Sequence, residues 1–129
     1  MAKRILKATQ NRAVVALVFD AAGSETIDLQ TEIFSTGQAV DGATQTVDIS
    51  AISISTPSET GKVTIARNSE SVWVGYGQEN YHYNGYTLNR QNTSDITVTA
   101  ATAGTVILEL AKTGGYTATI PNVGITGAW

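Results

Sequence analysis

The sequence predicts an all-β protein, either an antiparallel β-sandwich or a small barrel of about eight to ten short strands. Thr, Val and Ile make up about a third of the 129 residues, and their branched Cβ atoms favour a pleated sheet. Most segments alternate apolar and polar residues with the period of two that half-buried strands show. No segment longer than about ten residues carries a helical apolar stripe.

The first two strands are predicted from their apolar patterns. AVVALVF (13–19) is almost continuously apolar, which predicts a strand covered on both faces. ETIDLQ (25–30) alternates and places Ile27 and Leu29 on one face.

The next strand changes its pattern halfway along. QTVDISAISIS (45–55) has its first two apolar residues at odd positions and its last two, Ile52 and Ile54, at even positions. A shift of one residue reverses the faces of a strand. The sequence therefore predicts a β-bulge at about Ser50–Ala51, or a change of sheet there.

A hairpin follows, since KVTIA (62–66) and SVWVGY (71–76) flank the polar loop RNSE. The core-facing residues would be Val63 and Ile65, together with Val72 and Val74 or else Trp73.

The remaining strands are predicted at SDITVTA (94–100) and TVILELA (105–111), joined by the short turn ATAG, with YTATIP (116–121) as a last candidate. In the first two, Ile96 and Val98, and then Val106, Leu108 and Leu110, share a face. STGQAVDGATQ (35–45) has no apolar pattern and predicts a long loop. The set suits a jelly-roll or Ig-like sandwich.

GYGQENYHYNGYTLN (75–89) holds four of the five tyrosines and the single histidine. Asn84-Gly85 suits a two-residue type I′ hairpin turn. That turn would pair Tyr81 with Leu88 and place Tyr81, Tyr83, Tyr86 and Leu88 on one face. The aromatic face would close one end of the core, or contact a protein or a sugar.

Catalytic and metal-binding motifs are missing from the sequence. There is no cysteine and only one histidine, so thiol chemistry and the common zinc sites are excluded. Acid pairs could form between Asp41 and Asp48, or among Glu25, Asp28 and Glu32, but acids at strand spacing are usually solvated. We expect no enzyme activity, no cofactor and no metal.

Charge divides the chain into a basic N-terminal arm (1–12) and a single β domain (13–129). The arm has a formal charge of +4, whereas the other 117 residues hold four basic and eleven acidic side chains, a formal charge of −7. The arm would lie in solvent, form an edge strand, or dock on a protein neighbour. Four basic groups on an acidic body do not favour nucleic acid as the partner.

No apolar run reaches the length of a signal peptide or a membrane span. We therefore expect a soluble protein made in the cytoplasm, with no membrane partner.

Three stretches from about residue 45 onward carry a resemblance: VTIARNSESVWV, TLNRQNTSDITVT and GTVILELAKTGGY. With them, and with the opening MAKRILKATQN, the chain resembles small virion structural proteins of marine and cyanobacterial tailed phages over about two thirds of its length. The matching motifs are packing and turn signatures.

The resemblance implies a structural protein of the virion, made in the host cytoplasm. Our first choice is a capsid decoration or cement protein that binds the major capsid protein, or other virion proteins, and bridges shell subunits. A homo-oligomer is expected, and a trimer is preferred only by analogy. The predicted contact residues are Lys3, Arg4, Ile5, Leu6 and Lys7 in the arm, with Tyr76, Tyr81, Tyr83, Tyr86 and Trp129.

Two other classes of function stay open. The chain could be a tail, neck or fibre-associated module that contacts host glycan through the tyrosine hairpin. A glycan-cleaving enzyme with two carboxylates is the third hypothesis, and no specific residue pair supports it.

Overall fold

The described part of the chain consists of β-strands and their connections, in two separate sheets. The computed structural model describes residues 2–9, 11–29, 31–33, 45–68, 70–82 and 88–114, and only the backbone of residues 2, 88–92 and 114. Its strands are β1 Ala2–Ala8, β2 Arg12–Phe19, β3 Gly23–Ile27, β4 Thr46–Ser55, β5 Val63–Arg67, β6 Glu70–Gly75, β7 Gln78–His82, β8 Leu88–Asn92, β9 Ile96–Ala100 and β10 Gly104–Gly114.

All strand pairs are antiparallel. Sheet A has the order β1-β2-β10-β4-β7, with β8 also paired to β4, and sheet B has the order β3-β9-β5-β6. Within the described residues both sheets are open, with β1 at one edge of sheet A, β7 and β8 at the other, and β3 and β6 at the edges of sheet B. The predicted antiparallel β-sandwich is therefore confirmed.

The core lies between the sheets and is built from one face of each strand. Sheet A contributes side chains from β2, β4 and β10, and sheet B from β3, β5 and β9. The buried residues include Val15, Leu17, Phe19, Ile27, Ile49, Ile52, Val63, Ile65, Ile96, Val98, Val106, Leu108 and Leu110. Each buried Val, Ile or Leu stabilises the fold by about 1.5–3 kcal/mol relative to an exposed one.

The predicted faces of the late strands are confirmed, but the prediction for residues 13–19 is only partly right. Alternate residues of β2 from Ala13 to Phe19 are buried, while Val18 on the opposite face is 42% exposed. The outer face of β2 is thus not fully covered.

The bulge predicted in β4 is present. Glu109 of β10 pairs with Ala51, and the next residue, Leu110, pairs with Ile49, so Ser50 is the extra residue. The bulge keeps the apolar residues on both of its sides facing the core, because it compensates for the switch in alternation.

The predicted hairpin of β5 and β6 is also present. Trp73 pairs with the buried Ile65, and the register shift next to this pair leaves Val72 without a partner on β5. Trp73 faces inward and Val74 outward, and Val72 also packs against the core, so each of the two sequence alternatives is right only in part. A Cβ atom on Gly75 would collide with the Trp73 ring, so any other residue here would force the ring to move.

Some predicted elements differ in extent or lie elsewhere. β3 ends at Ile27, and Leu29 is buried in the turn that follows. The ATAG turn joins β9 in sheet B to β10 in sheet A, so it connects the sheets. The strand predicted at 116–121 and the loop predicted at 35–45, apart from Gln45, lie outside the described residues.

Candidate functional site

The basic N-terminal segment forms an edge strand of sheet A. β1 pairs with β2 from Ala2↔Val18 to Ala8↔Ala13, with a register shift between Ile5 and Lys7. Of the alternatives left open for residues 1–12, the structure shows the edge strand for residues 2–8. The boundary drawn at residue 12 does not separate this segment from the sheet.

Lys3 is held by sheet B, because it points to the inner side of its strand. Its Nζ atom lies 2.6 Å from Oε2 of Glu32 and 3.4 Å from Oε1 of Glu25, and it donates a hydrogen bond of 2.7 Å to the carbonyl oxygen of Thr26. Burial acts to lower the pKa of Lys3, but hydrogen bonds and Coulomb attraction from the two glutamates outweigh it, so the pKa is raised. Lys3 thus links the two sheets along one open side of the sandwich.

Only part of the predicted docking segment remains available for a partner. Ile5 packs against the core, and Lys3 is engaged with sheet B. Arg4, Leu6 and Lys7 are exposed, and the side chains of Arg4 and Lys7 form no hydrogen bond or ion pair with the part of the chain that the structure describes. The candidate contact residues of β1 are therefore these three.

The predicted tyrosine hairpin is not formed between β7 and β8. Both strands pair antiparallel with the same edge of β4, with Tyr81↔Ile52 and Leu88↔Ile49. The two strands therefore run in the same direction, one after the other, and cannot pair as a hairpin. The long free edge of β4 offered more backbone hydrogen bonds than the local turn, so tertiary pairing overrode turn propensity.

Of the predicted face of Tyr81, Tyr83, Tyr86 and Leu88, the structure describes only the side chain of Tyr81. Tyr83, Tyr86, Trp129 and the Asn84-Gly85 turn lie outside the described residues. Tyr76 is 45% exposed, between the end of β6 and Gly77, which has a φ of 73°.

Tyr81 packs against an aromatic residue of the opposite sheet. Its ring meets Trp73 edge to face, with ring centroids 5.7 Å apart and an interplanar angle of 72°. Its hydroxyl group is hydrogen-bonded to the Glu79 carboxylate, which raises the pKa of Tyr81. Tyr81 thus joins the sheets along the side opposite Lys3, which favours the packing interpretation of this tyrosine.

A buried arginine was not singled out by sequence reasoning. Arg67 is 1% exposed, donates from Nε and Nη2 to the carbonyl oxygen of Ser94, and donates from Nη1 to that of Val47. It follows Val63 and Ile65 at the same parity, and this alternation was the available signal for an inward position. Arg67 has a structural role between the sheets.

The acidic residues are placed for structure. Lys3 brings Glu25 and Glu32 together, and Asp28 accepts a hydrogen bond from the backbone N–H of Thr31 in the turn after β3. Asp48 is 2% exposed on β4, and Asp41 lies outside the described residues. Within the described ranges, no three His, Cys, Asp or Glu side chains are grouped to hold a metal ion.

The described part of the chain also contains no helix with the length and hydrophobicity to span a bilayer. No family model, curated protein or solved structure matches this chain.

Proposed function

We propose that this chain is a structural protein of a tailed-phage virion, a capsid decoration protein that binds the major capsid protein on the outer shell and bridges its subunits. The observation that carries the proposal is the edge strand β1. It presents Arg4, Leu6 and Lys7 to solvent from a rigid two-sheet body. The resemblance in the strand and turn motifs supports the same class of protein.

The free edge of β1 suggests how attachment works. One edge of β1 pairs with β2, and within the described residues no strand pairs with the other edge. An extended segment of a partner can add to such an edge through main-chain hydrogen bonds. Arg4 and Lys7 would select a segment with acidic side chains, since complementary charge determines which partner binds.

The work of such a protein is mechanical. Stable attachment requires an interface of about 1,000 Å² or more per copy. Several copies around a symmetry axis, with a trimer as the preferred assembly, would raise the effective affinity without new types of contact.

Binding to shells tests this proposal. The full-length protein is mixed with shells assembled from the major capsid protein of the same phage, and the bound fraction is measured by sedimentation. We expect saturable binding that Lys7→Glu weakens about ten-fold. Lys62→Glu, the same charge change at another exposed lysine, is the control and should change binding by less than about two-fold. Equal effects of the two substitutions would remove β1 from the interface, and no binding of the wild type would refute the proposed function.

A further inference from the structure

The outer faces of the two sheets differ in composition. In sheet B, strand pairing places Ser24, Thr99, Thr64 and Val74 in one outward row, and Thr26, Thr97, Ala66 and Ser71 in the next. Neighbouring hydroxyls share hydrogen bonds, at 2.8 Å between Ser24 and Thr99 and 3.3 Å between Thr26 and Thr97. This is the ordinary polar face of a sandwich that meets water.

Sheet A instead carries an apolar strip at its centre. Every outward residue of β2 from position 14 to 18 is apolar, with Val18 42% and Ala16 8% exposed. Ile107 of β10 and Ala51 of β4 extend the strip, and the other row neighbours on these strands, Thr105, Glu109, Ser53 and Ser55, are polar. We call it the apolar strip; its residues are Val14, Ala16, Val18, Ala51 and Ile107. A shallow groove on this face is lined in part by Val14, Ala51 and Ile107.

Positive charge borders the strip on one side. Arg4 lies in the same row as Ala16 and Ile107, and Lys7 in the same row as Val14. Two acids occupy outward positions on this face: Glu109 is engaged by Arg12, whose Nη1 atom lies 3.0 Å from its Oε1 atom, and Asp48 is buried, at 2% exposed. The described part of this face thus offers apolar area and two cationic side chains that no described acid pairs with.

A second copy of the chain does not complement this surface. If two copies met through it, a two-fold axis in the interface would place β1 opposite β1 or opposite the β7 edge of the other copy. The outward residues of β7 are Gln78, Asn80 and His82, so neither arrangement gives Arg4 and Lys7 an acid. The outer face of sheet B offers hydroxyl groups, and the one acid among residues 34–44 and 115–129 is Asp41.

We infer that the outer face of sheet A docks on a different protein, through a patch on that protein that is apolar at its centre and has carboxylates opposite Arg4 and Lys7. The inference rests on the proposed function, which makes that protein the major capsid protein. It extends the interface from the edge of β1 across the strip, because Arg4 and Lys7 belong to both surfaces.

A matched pair of valines tests the inference. Val18 on sheet A is 42% exposed and Val74 on sheet B is 47% exposed, and each points outward from its strand. In the sedimentation assay with shells, Val18→Glu should weaken binding at least ten-fold, because it introduces a charge into an apolar interface and repels the partner's acids. Val74→Glu should change binding by less than about two-fold.

Two further measurements separate the outcomes. A zero-length carbodiimide crosslink should join Lys7, but not Lys62, of the wild-type protein to an Asp or Glu of the capsid protein. Sedimentation equilibrium of the wild type alone should show either no self-association or a self-association that Val18→Glu leaves unchanged. Self-association that Val18→Glu abolishes would mean that a second copy covers the strip.

Binding that is equal for both valine variants would overturn the inference and leave the proposed function in place. The same holds if Lys7 forms no crosslink while the wild type binds shells. If the wild type does not bind shells, the proposed function fails and the inference fails with it.

Discussion

Arg67 shows how a single polar side chain joins the two layers. Its guanidinium group is buried and donates to carbonyl oxygens of β4 in one sheet and of the segment before β9. Alternation alone predicts that position 67 faces inward. It does not predict which carbonyl groups receive the hydrogen bonds, because these come from residues 20 and 27 positions away in the chain.

Replacing Arg67 should therefore cost stability. We expect Arg67→Met to lower the free energy of unfolding by about 2–4 kcal/mol, because two buried carbonyl groups lose their donors. Urea denaturation measures the change. Arg4→Met, which removes an exposed arginine, is the control and should stay within about 0.5 kcal/mol of the wild type. A loss below about 1 kcal/mol for Arg67→Met would show that water replaces the guanidinium group.

Lys112 makes stability depend on pH. Burial lowers its pKa to about 8, while its Nζ atom donates a hydrogen bond of 2.7 Å to the carbonyl oxygen of Thr9. In the unfolded chain a lysine has a pKa of about 10.4. Between these values the unfolded state binds more protons, so the contribution of Lys112 to stability rises with pH.

This dependence can be measured with a variant that does not titrate. From pH 7 to 9.5, the free energy of unfolding of the wild type should rise relative to that of Lys112→Met. The rise should not exceed about 1 kcal/mol, because water partly screens the half-buried group. Because the pKa of Lys3 is raised, the stability that its contacts with the two glutamates contribute is lost only at a pH above this range. A constant or falling difference between the wild type and Lys112→Met over this range would contradict the account.

At the scale of single elements, alternation predicted most strands and failed for others. It located β4, its bulge, and the β5–β6 hairpin, because the core selects one face of each strand. It did not identify Ala2–Ala8 as β1, since Lys3 occupies an inward position there and is paired with Glu25 of β3 and with Glu32 in the turn after β3. The prediction that β7 and β8 pair as a tyrosine hairpin was wrong, because both strands pair with the edge of β4 instead.

The bulge in β4 gives a test with two deletions. Deleting Ser50 should restore regular alternation and keep Val47, Ile49, Ile52 and Ile54 facing inward. The cost should be below about 1.5 kcal/mol, from the lost hydrogen bond of 3.1 Å between Ser50 Oγ and the carbonyl oxygen of Glu109.

Deleting Ser53 removes one residue from the same strand but turns the buried Ile54 outward. The expected loss is at least about 2 kcal/mol, from the exposed apolar surface. Thermal unfolding of both variants measures the difference. Equal losses would mean that register in β4 is not set by the inward faces.

For the whole molecule, the sequence predicted two antiparallel layers but not how the strands are divided between them. β9 and β10 are neighbours in the chain and lie in different sheets. Along the open sides, Lys3 contacts Glu25 and Glu32, which are more than 20 positions away, whereas Trp73 and Tyr81 are close in sequence but lie on strands of different sheets. Such pairs depend on the assembled sandwich. The apolar strip likewise becomes visible only when register places residues of three strands side by side.

If the molecule bridges shell subunits, it should stabilise the shell. A protein that binds only the assembled state stabilises it by about 2.7 kcal/mol per site at a concentration 100 times its dissociation constant. Shells loaded with the wild type or with Val74→Glu should therefore melt several degrees higher than bare shells in differential scanning calorimetry. Loading with Val18→Glu at the same concentration should give no more than about half of this stabilisation, since a site at least ten-fold weaker contributes about 1.4 kcal/mol or less. A similar rise with this variant would contradict the docking surface.

Imaging of the intact virion by electron cryomicroscopy tests the central claim most directly. The account predicts repeated density for a two-sheet sandwich on the outside of the shell, with β1 and the outer face of sheet A turned toward the capsid protein. Virions whose shells lack this density, or in which sheet B faces the shell, would contradict it.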